Sequence, residues 1–411
     1  MNDEKRRVDP CPAAAVVGGG IGGLAAARAL QLAGWSVQVL EKAERLDPLG
    51  AGISLWPNAI RALTVLDVPL RASGDHGGAP DDSRRAAAGG GATAGGGVQT
   101  SRGRWLSRTD PWTYPARYGA ALVAVHRADL QQALLDCLAP DTVQTGTEVS
   151  HVEQHPDGVL VRHSRGVVSA DLVVLTDGLA SSTRHLVAGP RPRSRFAGYT
   201  AWRGVTTPAA ELPASGATTE SWGRGQRFGI VPLTDGRLYW FATANTAEGE
   251  QARDSEHAEV LRRFVGWHPP VLEVVQATDP ASVLRHDVYD LRPDPARYVH
   301  GRLVLLGDAA HAMTPNLGQG ACQALEDAAT LMVLLRSGAA LDTALTAYDA
   351  VRRPRAQSIA RRSRQIGRLG QLQVPGLTLA RDLLLRATPA RLTDRELDTT
   401  LTWAPPDGPS C

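Results

Sequence analysis

A glycine fingerprint near the start of the chain limits what it can become. Gly18-x-Gly20-x-x-Gly23 directly follows an apolar run, residues 13–17 (AAAVV). It leads into small-residue helical sequence at 24–33 and then a second apolar run, 36–40 (SVQVL). Strand, glycine loop, helix and strand within about thirty residues form a βαβ unit, which commits the chain to a parallel sheet. Gly18 permits the tight turn, Gly20 lets the backbone approach a pyrophosphate, and Gly23 allows close helix packing. The helix N-terminus then offers unpaired N–H groups and a positive dipole end to phosphates. Glu41 closes the second run at the spacing of a carboxylate that accepts hydrogen bonds from a ribose diol. Its plainer reading is a strand-end charge paired with Lys42 or Arg45.

Further along, a helix is predicted to start near Pro57–Asn58. The stretch at about 75–97 (GGAPDD, RRAAAGGG, ATAGGG) has almost nothing to bury and reads as a flexible low-complexity insertion. Arg102–Gly103 resembles a hairpin turn, and 128–138 has helical spacing at Leu130, Leu134, Leu135 and Leu138. Residues 147–175 read as strands around Pro156–Asp157–Gly158, ending in the buried run DLVVL. The segments YTAWRGV, RFGIVPL and RLYWFAT between 196 and 245 alternate like antiparallel sheet. A third buried strand at 302–306 precedes a long helix over about 320–336. Strand-rich sequence between parallel-sheet segments predicts a second domain inserted into the first.

Composition excludes several classes. The chain has 411 residues and a net charge of +2, so no single-sign field points to nucleic acid or an acidic membrane. Cys11, Cys137, Cys322 and Cys411 are far apart, which argues against a disulfide framework or a structural zinc site. The charged start and apolar 13–30 superficially imitate a signal peptide, but five glycines break the apolar run. The sequence therefore reads as cytoplasmic, with no stable membrane insertion.

Two later motifs narrow the nucleotide. DLVVLTDGLASSTR (171–184) puts Asp177–Gly178 at a strand end. GRLVLLGDAAHAMTPNLGQGACQALEDA (301–328) puts Gly307–Asp308 at another, followed by Pro315 and a glycine-rich helix start. With the first fingerprint, and in this order, they resemble the single-component (group A) FAD-dependent monooxygenases, the aromatic-hydroxylase-like flavoproteins. The resemblance covers about residues 13–370. It implies an α/β, Rossmann-like FAD-binding domain with an inserted antiparallel-sheet substrate domain, as in p-hydroxybenzoate hydroxylase. The expected division is 10–72, 115–190 and 283–360 for FAD, 73–114 and 191–282 for substrate, and 361–411 as a C-terminal helical segment.

The same resemblance assigns roles. Gly18, Gly20, Gly23 and Glu41 would hold the ADP half of FAD, with Arg127 contacting the cofactor from a helix start. Asp177 would serve FAD and a transient NADH or NADPH, and Asp308 the ribityl hydroxyls. Pro315 would shape the pocket wall. Gly318 and Gly320 would bring backbone N–H groups to the flavin N1/C2 edge, where reduced flavin is anionic. The implied activity uses NAD(P)H and O₂ to form a C4a-hydroperoxyflavin that hydroxylates or epoxidises an aromatic or electron-rich small molecule. Another flavin-dependent oxidoreductase (oxidase, reductase or halogenase) and a non-catalytic flavin- or nucleotide-binding protein are the alternatives. The halogenase WxWxIP motif is absent.

On the substrate side, Arg227 and Tyr239 have the spacing of an arginine–tyrosine pair in flavin-dependent urate hydroxylases. An arginine polarises a carbonyl and a tyrosine exchanges a proton. The structural reading, a surface ion pair and sheet packing, stands beside it. Tyr199, Trp202 and Arg203 are further pocket-wall candidates, with core packing as the alternative. His151, Glu153 and His155 lack the HExxH order of a metal site. His311 reads as helix-start packing and Cys322 as a small buried residue. The arginine-rich run 352–368 reads as a docked helix with a solvated basic face, its apolar side marked by Ile359, Ile366 and Leu369.

Overall fold

The computed structural model of the protein describes residues 11–46, 52–70, 96–207 and 218–406. Its centre is the βαβ unit. β1 (Ala13–Val17) and β2 (Ser36–Leu40) run parallel, with Ala13 opposite Ser36 and Val17 opposite Leu40. The helices that position the site are α1 (Ile21–Leu32), α2 (Pro57–Val65), α3 (Arg127–Asp136), α4 (Glu256–Arg263), α5 (Val271–Gln276), α6 (Asp308–His311), α7 (Gly320–Leu335), α8 (Leu341–Gly370) and α9 (Pro375–Ala387). α1 begins earlier than the sequence predicted, because Ile21, Gly22 and Gly23 already wind into its first turn.

β11 (Leu172–Leu175) and β18 (Leu303–Leu305) continue the parallel sheet beyond β1, and β7 (Val143–Gln144) lies beyond β2. β17 (Val299–His300) closes one edge antiparallel, giving the order β17-β18-β11-β1-β2-β7. Strands covered on both faces read as continuous apolar runs, and every residue of β11 is buried. α1 is buried on most of its surface because it packs both on this sheet and against α7. Its alanines permit that double approach. β8 (Val149–His155), β9 (Gly158–His163) and β10 (Gly166–Ala170) form an antiparallel three-stranded sheet. β3 (Gly52–Leu55) pairs with β6 (Val123–His126).

The second large sheet has seven strands: β16 (Leu284–Arg292), β12 (Arg193–Val205), β15 (Leu238–Asn245), β14 (Gln226–Pro232), β13 (Thr219–Trp222), β4 (Gly96–Thr100) and β5 (Trp105–Thr109), in that order. All neighbours are antiparallel except β13 and β4, which run parallel. Side chains alternate between its faces. Trp202, Phe228 and Trp240 are buried on one face among Val260 and Phe264 from the α4 side and Val271 and Val274 of α5. Phe228 stacks on Trp240 at 5.6 Å. Full burial of an apolar side chain of this kind contributes about 1.5–3 kcal/mol. Trp202 is therefore core, as its plainer reading held. Tyr199 and Arg203 alternate to the opposite face, shared with Arg227, Tyr239 and Phe241.

Three expectations change. The low-complexity insertion falls largely outside the described residues, but its last two residues, Gly96 and Gly97, open β4. Residues 284–292, expected with the FAD-binding segments, form β16 and extend the second sheet, because β12 is long enough to pair on both edges. The boundary expected at 361 falls inside α8, which runs unbroken to Gly370. That helix also departs from a simple solvated basic face. Leu369 is 41% exposed, whereas Arg352 is wholly buried against two carboxylates. A guanidinium tolerates burial where its N–H groups find acceptors.

Candidate active site

The fingerprint loop is shaped by contacts that only glycine allows. Gly18 has φ +104°, and a Cβ there would lie 2.7 Å from the Thr176 carbonyl oxygen. A Cβ on Gly23 would lie 1.9 Å from the Gly18 carbonyl oxygen, so the helix start and the loop are in direct backbone contact. Gly20, Gly178 and Gly320 have nothing within 4 Å of where a Cβ would be. The Glu41 carboxylate accepts the Gly19 N–H at 2.5 Å and the Ala43 N–H at 2.8 Å, bracing the loop from the end of β2.

Gly18, Glu41, Asp177 and Asp308 lie just past the C-terminal ends of four neighbouring parallel strands, where open α/β sheets bind ligands. Asp177 Oδ2 accepts from the Thr183 N–H (3.2 Å) and hydroxyl (2.9 Å), while its buried Oδ1 has no partner. Asp308 is exposed at the start of α6. Arg184 ties these two loops together, donating to the carbonyls of Ala309 (2.7 Å), Gly178 (2.8 Å) and Leu179 (2.8 Å). Pro315 opens a short 3-10 turn, Gly318 follows with φ +60°, and Gly320 begins α7. Arg127 is exposed at the first position of α3. An orphaned carboxylate oxygen, three open glycine positions and an exposed carboxylate fit the hydroxyls and phosphates of an FAD.

Behind the loops lies a buried ionic network that the sequence reading missed. Arg352 donates to Asp327 (2.6 Å), to Glu326 (2.5 Å) and to the Gln323 side chain (2.8 Å). Asp327 also accepts the Gly307 N–H at 3.0 Å and contacts His311 Nε2 at 2.6 Å. Asn58 of α2 bonds Glu326 (2.6 Å) and Gln319 (2.9 Å), the residue that caps α7. Burial acts to raise both carboxyls. His311 and Arg352 outweigh it at Asp327, as Arg352 and Arg355 do at Glu326, and both end below the usual carboxylate range. The network thus fastens the Gly307–Asp308 and Gln319–Gly320 loops to α8. His311 is buried in the short helix α6, as its packing reading expected, and also joins this network through its contact with Asp327. The available signal was the pairing of Glu326–Asp327 with an arginine one long helix later.

The seven-stranded sheet turns its other face toward these loops. Arg227 is opposite Trp222 on β13 and Thr243 on β15, and Tyr239 is opposite Val231. Arg227 and Tyr239 therefore share a face but sit roughly 14 Å apart along the strands. Phe241 lies between them, opposite Gly229. Arg227 is 1% exposed; it donates to Glu220 Oε1 at 3.0 Å and to Asn316 of the Pro315–Leu317 turn. Its guanidinium lies 5.9 Å from the Tyr199 ring centroid, and the Tyr199 hydroxyl donates to Asn316 at 3.3 Å. Burial pushes the Tyr199 and Tyr239 phenols up, with the nearby positive charge of Arg227 partly opposing this at Tyr199 and that of Arg203 at Tyr239. Burial, reinforced by Arg203 and Arg127, lowers His286.

His151, Glu153 and His155 lie exposed along β8, and the described residues contain no group of metal-ligating side chains. Cys322 is wholly buried and its thiol is pushed up to about 12. Among the described residues no helix is long and apolar enough to cross a membrane.

The chain is similar to several known proteins. A family model described as an FAD binding domain matches residues 11–363. The aurachin C monooxygenase/isomerase of Stigmatella aurantiaca is 38% identical over 95% of this chain and 98% of its own. The FAD-dependent urate hydroxylase of Klebsiella pneumoniae is 35% identical over 86% of this chain and 88% of its own. The crystal structure of Klebsiella pneumoniae HpxO complexed with FAD and uric acid superposes with a TM-score of 0.82 at 32% identity, covering 97% of each chain. With its fingerprint, its two strand-end aspartates and its second sheet in place, the chain belongs to the FAD-dependent, aromatic-hydroxylase-like monooxygenases.

Proposed function

We propose that the protein uses NADH or NADPH and O₂ to insert one oxygen atom into an aromatic or electron-rich small molecule. The substrate is held between the Arg227–Phe241–Tyr239 face and the flavin loops. One observation carries this reading. Asn316, in the turn leading to Gly318 and Gly320, accepts hydrogen bonds from both Arg227 and Tyr199 of the second sheet. The loop assigned to the flavin and the wall assigned to the substrate are thereby built from the same contacts.

Gly18, Gly20, Gly23 and Glu41 hold the ADP half of FAD, with Arg127 beside it. Asp177 and Asp308 accept hydrogen bonds from its hydroxyls. The amides at Gly318 and Gly320, at the N-terminus of α7, stabilise negative charge at the flavin edge, and Pro315 fixes their approach. When bound, FAD supplies electron transfer from the nicotinamide and activation of O₂. Phe241 gives an aromatic ring a flat apolar contact, and the Tyr239 phenol, kept protonated by its burial, donates to the substrate. The buried packing around Tyr199 and Arg227 keeps water out of that end. A cytoplasmic setting, where NAD(P)H is supplied, belongs to the same reading.

The test is oxidation of NADH or NADPH by the FAD-loaded protein across a panel of phenols, purines and aromatic heterocycles, with products weighed by mass spectrometry. A ring product heavier by one oxygen is expected. Oxidation that no ligand stimulates would favour a flavin sensor, and stimulated oxidation without an oxygenated product would favour an oxidase. Asp308→Ala should lower FAD occupancy with the far-UV circular dichroism unchanged. Full FAD retention in that variant would remove the role given to Asp308.

A further inference from the structure

Three residues lie side by side across the second sheet on the face that looks toward the flavin loops: Trp222 on β13, Arg227 on β14 and Thr243 on β15. Each has a buried polar atom with no partner, namely Trp222 Nε1, Arg227 Nε and Thr243 Oγ1. Buried polar atoms are ordinarily satisfied, so three orphans in one cross-strand row mark a place where something else completes the bonding. Two of them are N–H donors and the third is a hydroxyl, so the row asks for hydrogen-bond acceptors.

A fourth residue sets the charge beside Arg227, while at the Trp222 end the buried Arg381 of α9 lies 5.3 Å from the indole centroid and is itself paired with Asp382 at 2.8 Å. Glu220, two positions before Trp222 on β13, pairs with Arg227 at 3.0 Å, and its side chain is largely shielded from water. The guanidinium charge is therefore already matched before any substrate arrives. An anionic group placed here would meet a neutralised arginine and the Glu220 carboxylate beside it, and like charges at close quarters in a shielded site repel strongly.

On the reading that this face binds the substrate, we propose that Glu220 sets specificity, so that the Arg227 end of the site accepts a neutral aromatic ring through a carbonyl oxygen or ring nitrogen and discriminates against a carboxylate. Arg203, opposite Phe241 and so toward the Tyr239 end, contacts His286 Nδ1 at 3.5 Å. An anionic substituent would have to face that end.

The experiment uses the FAD-loaded protein and two ligands of nearly equal shape, 4-hydroxybenzamide and 4-hydroxybenzoate, titrated by the change in flavin absorbance. In Glu220→Gln, the benzoate should bind about tenfold or more tighter than it binds wild type, while the benzamide changes by no more than about threefold. Glu220→Asp keeps the charge and should keep the wild-type preference, which separates charge matching from a merely structural role that both variants would disturb alike. If the benzoate gains nothing in Glu220→Gln, or Glu220→Asp shifts the preference in the same way, the assignment of Glu220 is overturned. If neither ligand perturbs the flavin in any of the three proteins, the face is not the substrate site. The broader reading of the second sheet then falls together with this one.

Discussion

On the proposed reading, the two large sheets build their halves of the site by different means. On the six-stranded sheet the work is done by backbone: loop amides, helix N-termini and glycines whose missing Cβ atoms either permit contact, as at Gly23, or leave space, as at Gly20 and Gly320. On the seven-stranded sheet it is done by side chains, with Arg227, Tyr199, Phe241 and Tyr239 placed by strand register. A backbone-built site tolerates few sequences and leaves a spaced motif. A side-chain-built site changes its chemistry with single substitutions and leaves almost none. Relatives named for substrates as different as aurachin C and urate, both matched along most of the chain, fit that contrast.

The contrast can be broken experimentally. The largest effect should come from neither sheet but from the network beneath the loops. Arg352→Ala leaves Glu326 and Asp327 buried without the guanidinium they share, and breaking a buried pair in this way costs about 3–5 kcal/mol. Denaturant unfolding should register that loss. Both carboxyls sit below their ordinary range in the folded protein, so their contribution is present above about pH 4 and is lost as the pH falls through their folded values. In the variant those carboxyls take up protons more readily. Its deficit should therefore be widest at neutral pH and narrow in acid. A deficit independent of pH would mean the network is not electrostatic in origin.

Next in size, Gly23→Ala should weaken FAD binding by roughly tenfold or more, because the added Cβ forces the loop away from α1. Equilibrium FAD titration measures this, and wild-type affinity would show that the loop can shift freely. Tyr239→Phe should do the reverse, keeping FAD affinity while lowering turnover by roughly tenfold or more. A loss of FAD in that variant would erase the division of labour between the sheets. Smallest of all, a thiol-specific reagent should leave Cys322 untouched until the protein is denatured, whereas Cys11 is exposed and should react. Rapid labelling of Cys322 in the native state would show that α7 opens away from β3, whose Ser54 carbonyl the thiol contacts.

How much was legible beforehand follows the same division. β1, α1, β2 and the strand-end aspartates could be read because glycine spacing and buried apolar runs are local in sequence. The hairpin turns at Arg102–Gly103 and Pro156–Asp157–Gly158 were legible for the same reason. The pairing of β16 with β12 joins residues about ninety positions apart, and nothing local encodes it. Arg352 looked like one more arginine in a basic run, because its burial depends on carboxylates on another helix. Glu220 carried no motif at all. Its meaning comes only from the register that sets β13 beside β14.

α8 has a consequence for engineering. Arg352, midway along it, anchors the nucleotide loops, while its last turn places Gly367 and Gly370 directly against Asn316 and Arg227. A Cβ at Gly370 would lie 2.7 Å from the Arg227 side chain. Recombining this chain with a relative by exchanging the seven-stranded sheet alone would leave the donor's wall pressed against a foreign helix end. A workable crossover has to carry the C-terminal turns of α8 along with the sheet, since the two form one exchangeable module although more than a hundred residues separate Arg227 from Gly370 in the chain.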